Sequence, residues 1–532
     1  MTSVRLNPLD SAWLFTESRA TPNHVGGLLQ FRLPEGAPKD YMRKMMAEFR
    51  GHREFTAPWN RRLKYAFNKN PVPVWIEDRN IDLEYHVRHA ALPWPGGERE
   101  LGELIGRLQS TPLDLSRPPW ECTLIEGLEG DRFALFIKMH HSLIDGVSGM
   151  KLLQGAMSPD REASRKLPPF WASGLRRSRR SGAETLLPTV ANAAALAVEA
   201  LRGQVQTVPQ LVVAFGKMLK GLGTGEGMIV PFTSPQSVLN GRVREKRRFA
   251  TQQFSMERLR SLAKEAECTL NDIVLAICGG ALRRFLDERG DLPAKSLTTG
   301  IPVSVRPADD DGSGNAITFI IATLGTDIPD ARERLAAIRQ SVRLAKEHVQ
   351  SLPKQAMLQY TVLLMAPTIL TLLTGIGGRT RPMFNITISN VPGPDKPLYF
   401  RGAELVAIYP ASIVTHGQAL NITCESYAGA MNFGFTGCHS SLPSMQRLAV
   451  YAEEALKELE AAISPKPAPR SGGARAKAMA PTARPAKAKA AKPSNGKAAV
   501  AKKAVVAATP EPKAKASPAV ARKRAAAAKH KA

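Results

Sequence analysis

The chain has 532 residues, 43% hydrophobic and 23% charged, and its 73 Lys and Arg against 47 Asp and Glu give a net charge of +26. That is enough for two or three packed domains. The charge is uneven: between Pro465 and Ala532 there are 18 basic residues and one acid, Glu511, so 17 of the 26 net charges sit there and the first 464 residues keep +9. The basic pI therefore describes a tail and does not mark the body as a nucleic-acid protein.

Five cysteines, Cys122, Cys268, Cys278, Cys424 and Cys438, form no C-x-x-C pair and no repeating spacing. This argues against a zinc ribbon or a disulfide framework and for a reducing compartment. The N-terminus lacks the long apolar run of a secretory signal. The longest apolar stretch, Tyr360 to Leu373, is interrupted by Pro367 and falls short of the ~20 residues a bilayer span needs. The expectation is a soluble or peripheral cytoplasmic protein, associated with the inner membrane face or with lipid inclusions.

In chain order, residues 1–158 mix apolar runs, aromatics and polar turns in globular proportions and form a first domain. Residues 159–246 connect. They carry the basic run Arg176-Arg177-Ser178-Arg179-Arg180, an Ala/Leu/Val-rich piece from Leu186 to Leu222, and a Gly-rich end. The middle piece reads as helices broken at Pro188 and Pro209, packed on a domain or lying on lipid with the arginines toward anionic head groups. Residues 247–463 form a second domain. Met256 to Glu267 and Asn271 to Glu288 read as helices, and Leu297 to Val305, Ala316 to Leu324, Phe384 to Ser389 and Gly417 to Thr423 as strands. Leu442 to Ala462 is a closing helix. Strands and helices alternate, so the class is α/β in both halves. Residues 464–532 hold no Phe, Trp or Tyr and are expected to be disordered: a solubilising appendage or a binder of polyanions.

One segment carries the chemistry. Phe133, Leu135, Ile137 and Met139 alternate with Ala134, Phe136, Lys138 and His140, the period of a strand, and from Gly146 onward the pattern turns helical. His140 and His141 thus fall where a strand ends and a loop begins. Neighbouring strand residues face opposite ways, so the two cannot both line one pocket. His141 continues the apolar face and is the candidate base, since an imidazole of ordinary pKa, about 6.5, can take a proton from a hydroxyl near neutrality. Asp145 either orients that base or caps the helix starting at Gly146; the capping role is preferred. Gly146 gives the turn room to form. No G-x-S-x-G elbow, P-loop lysine, dinucleotide G-x-G-x-x-G or H-E-x-x-H is present. A lone histidine base suits direct transfer without a covalent intermediate.

His140-His141-x-x-x-Asp145-Gly146 resembles the signature of the CoA-dependent acyltransferase superfamily, which includes chloramphenicol acetyltransferase and peptide-synthetase condensation domains. Within it the chain resembles the bacterial wax ester synthase/acyl-CoA:diacylglycerol acyltransferases. Asn7-Pro-Leu-Asp10-Ser-Ala-Trp is similar to that family's opening segment, and Pro112 to Glu121 to its P-L-W motif, with Pro119 in place of Leu. Asn271-Asp272, Pro302-Val-Ser-Val-Arg306 with Gly314-Asn315, Ser389-Asn-Val-Pro-Gly-Pro394 and Leu420 to Tyr427 complete the set in order. A second departure is Thr21-Pro-Asn-His24-Val-Gly for the family's Pro-Met-His-Val-Gly.

The resemblance implies two chloramphenicol-acetyltransferase-like domains with a tunnel between them, acyl-CoA entering from one side and the acceptor alcohol from the other. It makes His141 the general base, with His140, Asp145 and Gly146 mainly structural. Asn271 is then either a pocket or oxyanion donor or simply a helix N-cap, and Asp272 and Arg306 a buried structural pair. The products are triacylglycerol or wax ester. No cofactor or metal is implied, acyl-CoA being a substrate. Two other readings share these features: a condensation-type acyltransferase on a carrier-bound acyl group, and a non-enzymatic lipid-droplet or polyanion-binding scaffold.

Overall fold

The computed structural model describes residues 3–6, 8–65, 73–144, 146–173, 229–304, 317–352 and 354–464. The helices expected between Leu186 and Leu222, the arginine run at 176–180 and the tail lie outside these residues.

The strands in chain order are β1 (Ser3–Arg5), β2 (His24–Arg32), β3 (Arg61–Leu63), β4 (Val74–Glu77), β5 (Val87–Ala91), β6 (Trp120–Leu128), β7 (Arg132–His140), β8 (Arg247–Ser255), β9 (Thr298–Ser304), β10 (Ile317–Thr323), β11 (Ile386–Val391), β12 (Tyr399–Phe400), β13 (Ala403–Ala411), β14 (Leu420–Tyr427) and β15 (Ala430–Cys438). The helices are α1 (Pro8–Phe15), α2 (Tyr41–Gly51), α3 (Leu83–His86), α4 (Glu98–Ser110), α5 (Gly146–Gln154), α6 (Arg161–Ser164), α7 (Met256–Glu265), α8 (Leu270–Asp287), α9 (Ala331–Gln350), α10 (Lys354–Leu373) and α11 (Arg447–Ile463).

Two six-stranded mixed sheets carry the fold, one ordered β12-β13-β2-β7-β6-β5 and the other β10-β9-β11-β14-β15-β8, with a small sheet β1-β4-β3 beside them. Sheet membership does not follow the boundary expected at residue 247. After β11 the chain leaves the second sheet, adds β12 and β13 to the first, and returns as β14. Leu405, Ile408 and Phe400 then share a core with Phe31, Phe133 and Trp120. The sequence hides β13 behind Pro410, a residue that cannot donate to a ladder; here it faces Gly27 near the strand's end. β14 begins at Leu420 and not at Gly417, because Thr415 and Gln418 close a tight turn in which Gly417 holds φ +90°.

β7 is buried on both faces. Phe133, Leu135, Ile137 and Met139 join the core under α5, while Ala134 and Phe136 pack with Leu101 and Ile105 of α4. The two halves meet without side chains between them at α4: a Cβ on Gly102 would lie 2.8 Å from the Phe249 carbonyl oxygen, and one on Gly106 2.9 Å from that of Arg247. Ser110 Oγ accepts from the Arg247 N–H at 2.8 Å. These glycines, one turn apart, let the helix lie directly on β8.

Glu425 on β14 is buried, one carboxyl oxygen has no hydrogen-bond partner, and desolvation pushes its pKa up to about 8. A raised folded-state pKa means the folded state holds the proton longer. The chain should therefore lose up to ~1.4 kcal/mol per pH unit as pH rises between the ordinary glutamate value and about 8. The Glu425→Gln chain should melt above the parent at pH 7.5 and level with it near pH 4.5. A melting difference that does not change with pH would contradict a protonated Glu425.

Candidate active site

The site starts from the pairing of β2 with β7, which sets His24 opposite His140. Beyond His140 the chain turns sharply, with Leu143 and Ile144 N–H groups donating to the His140 carbonyl, and α5 begins at Gly146. Leu143 packs against Leu14, Leu63 and Trp75, and Ile144 enters the core under β7. Apolar contacts thus hold both ends of the turn.

The adjacent histidines have opposite environments. His140 is fully buried. Its Nδ1 accepts the Ser142 backbone N–H at 3.1 Å and lies 2.6 Å from Ser142 Oγ. Because a backbone N–H can only donate, the ring proton is on Nε2, which donates to Glu17 Oε2 at 3.3 Å. Both nitrogens of His140 are committed. His141 is half-buried, its ring stacked on Trp13 of α1 with centroids 4.3 Å apart and planes 29° apart.

The backbone of the pair is held as closely as the rings. The His140 N–H donates to the Pro119 carbonyl and the His141 N–H to the Asn23 carbonyl, both at 2.9 Å. Pro119 and Asn23 are the two positions where the sequence departs from the family pattern. At Pro119 the contact uses only the carbonyl, so exchanging Leu for Pro keeps it. At Asn23 the side chain adds donations from Nδ2 to the Trp13 carbonyl at 2.7 Å and to Thr16 Oγ1 at 2.9 Å, tying the strand back to α1. Glu17 Oε2, which accepts from His140, also accepts the Asn23 N–H at 2.5 Å. One carboxyl oxygen therefore joins the His140 ring to the segment that holds the His141 backbone.

A second layer fixes this assembly to the scaffold. Lys138, on the same face of β7 as His140 and buried, donates to the Leu108 and Thr111 carbonyls at 3.1 and 2.7 Å, an ammonium at the C-terminal end of α4. It also lies 3.3 Å from Glu121 Oε2. Desolvation lowers its pKa while Glu121 opposes that shift. His24 Nε2 donates to the Gln109 carbonyl at 3.0 Å; desolvation and then the Lys138 charge push its pKa well below the usual histidine value, so His24 is a neutral strut. Arg247, buried and drawn down to a pKa of about 10 by desolvation, donates to the Ala20 carbonyl at 2.7 Å, so β8 in the second half clamps the turn that precedes Asn23.

The remaining predicted positions fall differently. Asp145 and Arg306 lie outside the described residues. Gly146 is not needed for room: a Cβ there would meet nothing within 4 Å, whereas one on Gly149 would lie 2.7 Å from Met139 Sδ. Asn271 is not an N-cap. Thr269 caps α8, accepting the Asp272 N–H, while Asp272 Oδ2 accepts the Thr269 N–H at 2.9 Å, a reciprocal box worth ~1 kcal/mol. Asn271 is the second helical residue, half-buried, with no side-chain hydrogen bond among the described residues. Sequence reasoning missed Trp13, Glu17, Asn23 as a donor, and Arg247. No periodicity or short motif joins them, because their contacts span loops.

The chain matches the family model for the wax ester synthase/diacylglycerol acyltransferase catalytic domain over residues 6–274, and the family's C-terminal domain over 313–460. It is 44% identical over 490 residues to a putative diacylglycerol O-acyltransferase of Mycobacterium tuberculosis, covering 87% of this chain and 98% of the relative. It is 38% identical to the O-acyltransferase WSD of Acinetobacter baylyi, covering 86% and 97%. The wax ester synthase/diacylglycerol acyltransferase structure from Marinobacter aquaeolei VT8 superposes with a TM-score of 0.70 at 37% identity, over 86% of this chain and 99% of that one. The first condensation domain of the calcium-dependent antibiotic synthetase shares the fold alone, with a TM-score of 0.51 at 16% identity over 87% and 97% of the two chains. The chain belongs to the wax ester synthase/diacylglycerol acyltransferase family and is an acyltransferase.

If Glu17 holds the histidine turn, Glu17→Ala should lower kcat for acyl transfer ~100-fold with little change in the KM for acyl-CoA. Glu17→Gln, which keeps an oxygen acceptor, should recover most of it. Equal loss in both variants, with matching drops in melting temperature, would reduce Glu17 to a packing residue.

Proposed function

We propose that the chain transfers a fatty acyl group from acyl-CoA to the hydroxyl of a diacylglycerol or a long-chain alcohol, forming triacylglycerol or wax ester, with His141 as general base. The observation that carries the assignment is the contrast within the pair: His140 is buried with both ring nitrogens engaged, and His141 is half-exposed with its ring held against Trp13. The names of the relatives support the substrates.

In this reading a ring nitrogen of His141 takes the alcohol proton as the oxygen attacks the thioester carbonyl. The tetrahedral intermediate collapses, the carbon–sulfur bond breaks, and the departing CoA thiolate recovers the proton from the imidazolium. No acyl-enzyme forms. Asn271 is the candidate donor to the developing oxyanion, a role supported by its half-buried amide at the start of α8; such a donor is worth a few kcal/mol. Asp272 closes the capping box with Thr269 through one carboxyl oxygen, and its other is buried without a hydrogen-bond partner. Asp145 caps α5. Both substrates reach His141 through a tunnel between the two halves.

Acceptors of this kind reside in a lipid phase, so the enzyme works at a membrane or lipid-inclusion surface. No described helix is long and apolar enough to cross a membrane. The 18 basic residues after Ser464 add attraction for anionic surfaces.

Purified His141→Ala should lose at least ~100-fold in ester formed from palmitoyl-CoA with dioleoylglycerol or hexadecanol, while keeping the parent's melting temperature. A folded variant that esterifies at the parent's rate would overturn the assignment. A parent chain that forms no ester from either acceptor would favour the scaffold reading.

A further inference from the structure

We propose that the C-terminal end of α10, with the glycine-rich turn after it, is the surface on which the protein sits against an anionic lipid bilayer. The sequence has no acid between Glu347 and Asp395, and no charge of either sign between Lys354 and Arg379. A surface helix normally turns polar side chains to solvent. Here Leu370 is 60% exposed, Leu373 42% and Ile376 43%, with Pro367 also exposed.

The opposite side of the helix is anchored. Tyr360 and Leu364 are buried in the core of the second sheet. The helix end is closed by the Thr374, Gly375 and Gly377 N–H groups donating to the Leu370, Leu372 and Thr371 carbonyls. The tip is therefore a built feature with apolar side chains facing out.

Charge decides what covers it. Arg242 donates to the Gly375 carbonyl at 2.6 Å, which puts a guanidinium at the tip. Arg379 and Arg381, both exposed, follow at once in the chain. Among the described residues none of these three arginines is ion-paired with an acid. Three uncompensated guanidiniums round an apolar patch match a negatively charged interface with an apolar interior, where the leucines enter about 5–10 Å and the arginines meet head groups. A second copy of this chain would bring the same positive rim against itself. No described helix is long and apolar enough to cross a membrane, and the proposed contact is interfacial. This surface deepens the proposed function, since an enzyme with lipid acceptors must draw them from such an interface.

The test is flotation of the full-length chain with phosphatidylcholine/phosphatidylglycerol vesicles at low and high salt. High salt screens the basic tail and the arginines but leaves apolar insertion in place. The parent should keep a salt-resistant bound fraction, and Leu370→Asp/Leu373→Asp should lower it ~10-fold or more while still esterifying a detergent-dispersed alcohol. Leu370→Trp should add a fluorescence component quenched by brominated lipid, a readout independent of the tail. Flotation of the double variant equal to the parent's overturns the proposal, as does an absence of added quenching in Leu370→Trp or a shift of the double variant from dimer to monomer with binding intact. If the parent floats as described but makes no ester, the surface stands and the enzymatic reading fails; if it makes ester and the patch variant floats as the parent does, the reverse holds.

Discussion

A single carboxyl oxygen organises the site. Glu17 Oε2 accepts the His140 ring N–H at 3.3 Å and the Asn23 backbone N–H at 2.5 Å, and the Asn23 carbonyl holds the His141 N–H. A histidine working as a base must meet its substrate within hydrogen-bond reach, and a displacement of about an ångström can cost two orders of magnitude in rate. The turn that carries His141 has no regular ladder of its own beyond His140. Its position comes from this oxygen, from the Trp13 stack and from Leu143 and Ile144 packed beneath it.

The constraint reaches both halves of the chain. Arg247, at the start of β8, holds the Ala20 carbonyl just before Asn23, and the same strand lies backbone to backbone on α4 through Gly102 and Gly106. The C-terminal end of α4 in turn receives Lys138 and His24, which flank His140 along and across the paired strands. The crossing of β12 and β13 into the first sheet adds a third connection, so the histidine turn is set by residues from both halves.

Much of this was legible from local pattern. The alternation from Phe133 to His140 marked β7, and the break at Asp145-Gly146 marked the start of α5, because both depend on neighbours in sequence. The motif string identified the family. The layer that positions the histidine turn was not legible: Glu17 lies 123 residues from His140, and Arg247 lies 227 from Ala20. No spacing rule joins such pairs. Asn271 shows a different failure, since Asn is a good cap but Thr269 two residues earlier, with Asp272 closing the box, is better placed. The two departures from the family pattern, Pro119 and Asn23, were visible as departures, but only the structure shows that their carbonyls receive the two histidine N–H groups.

The most direct measurement is a double-mutant cycle between Glu17→Ala and His141→Ala, scored by single-turnover ester formation from radiolabelled acyl-CoA. If Glu17 acts through the placement of His141, removing Glu17 should cost nothing further once the imidazole is gone, so the two losses will be strongly non-additive. Losses that multiply independently would show that Glu17 works elsewhere and that the His141 turn does not depend on it.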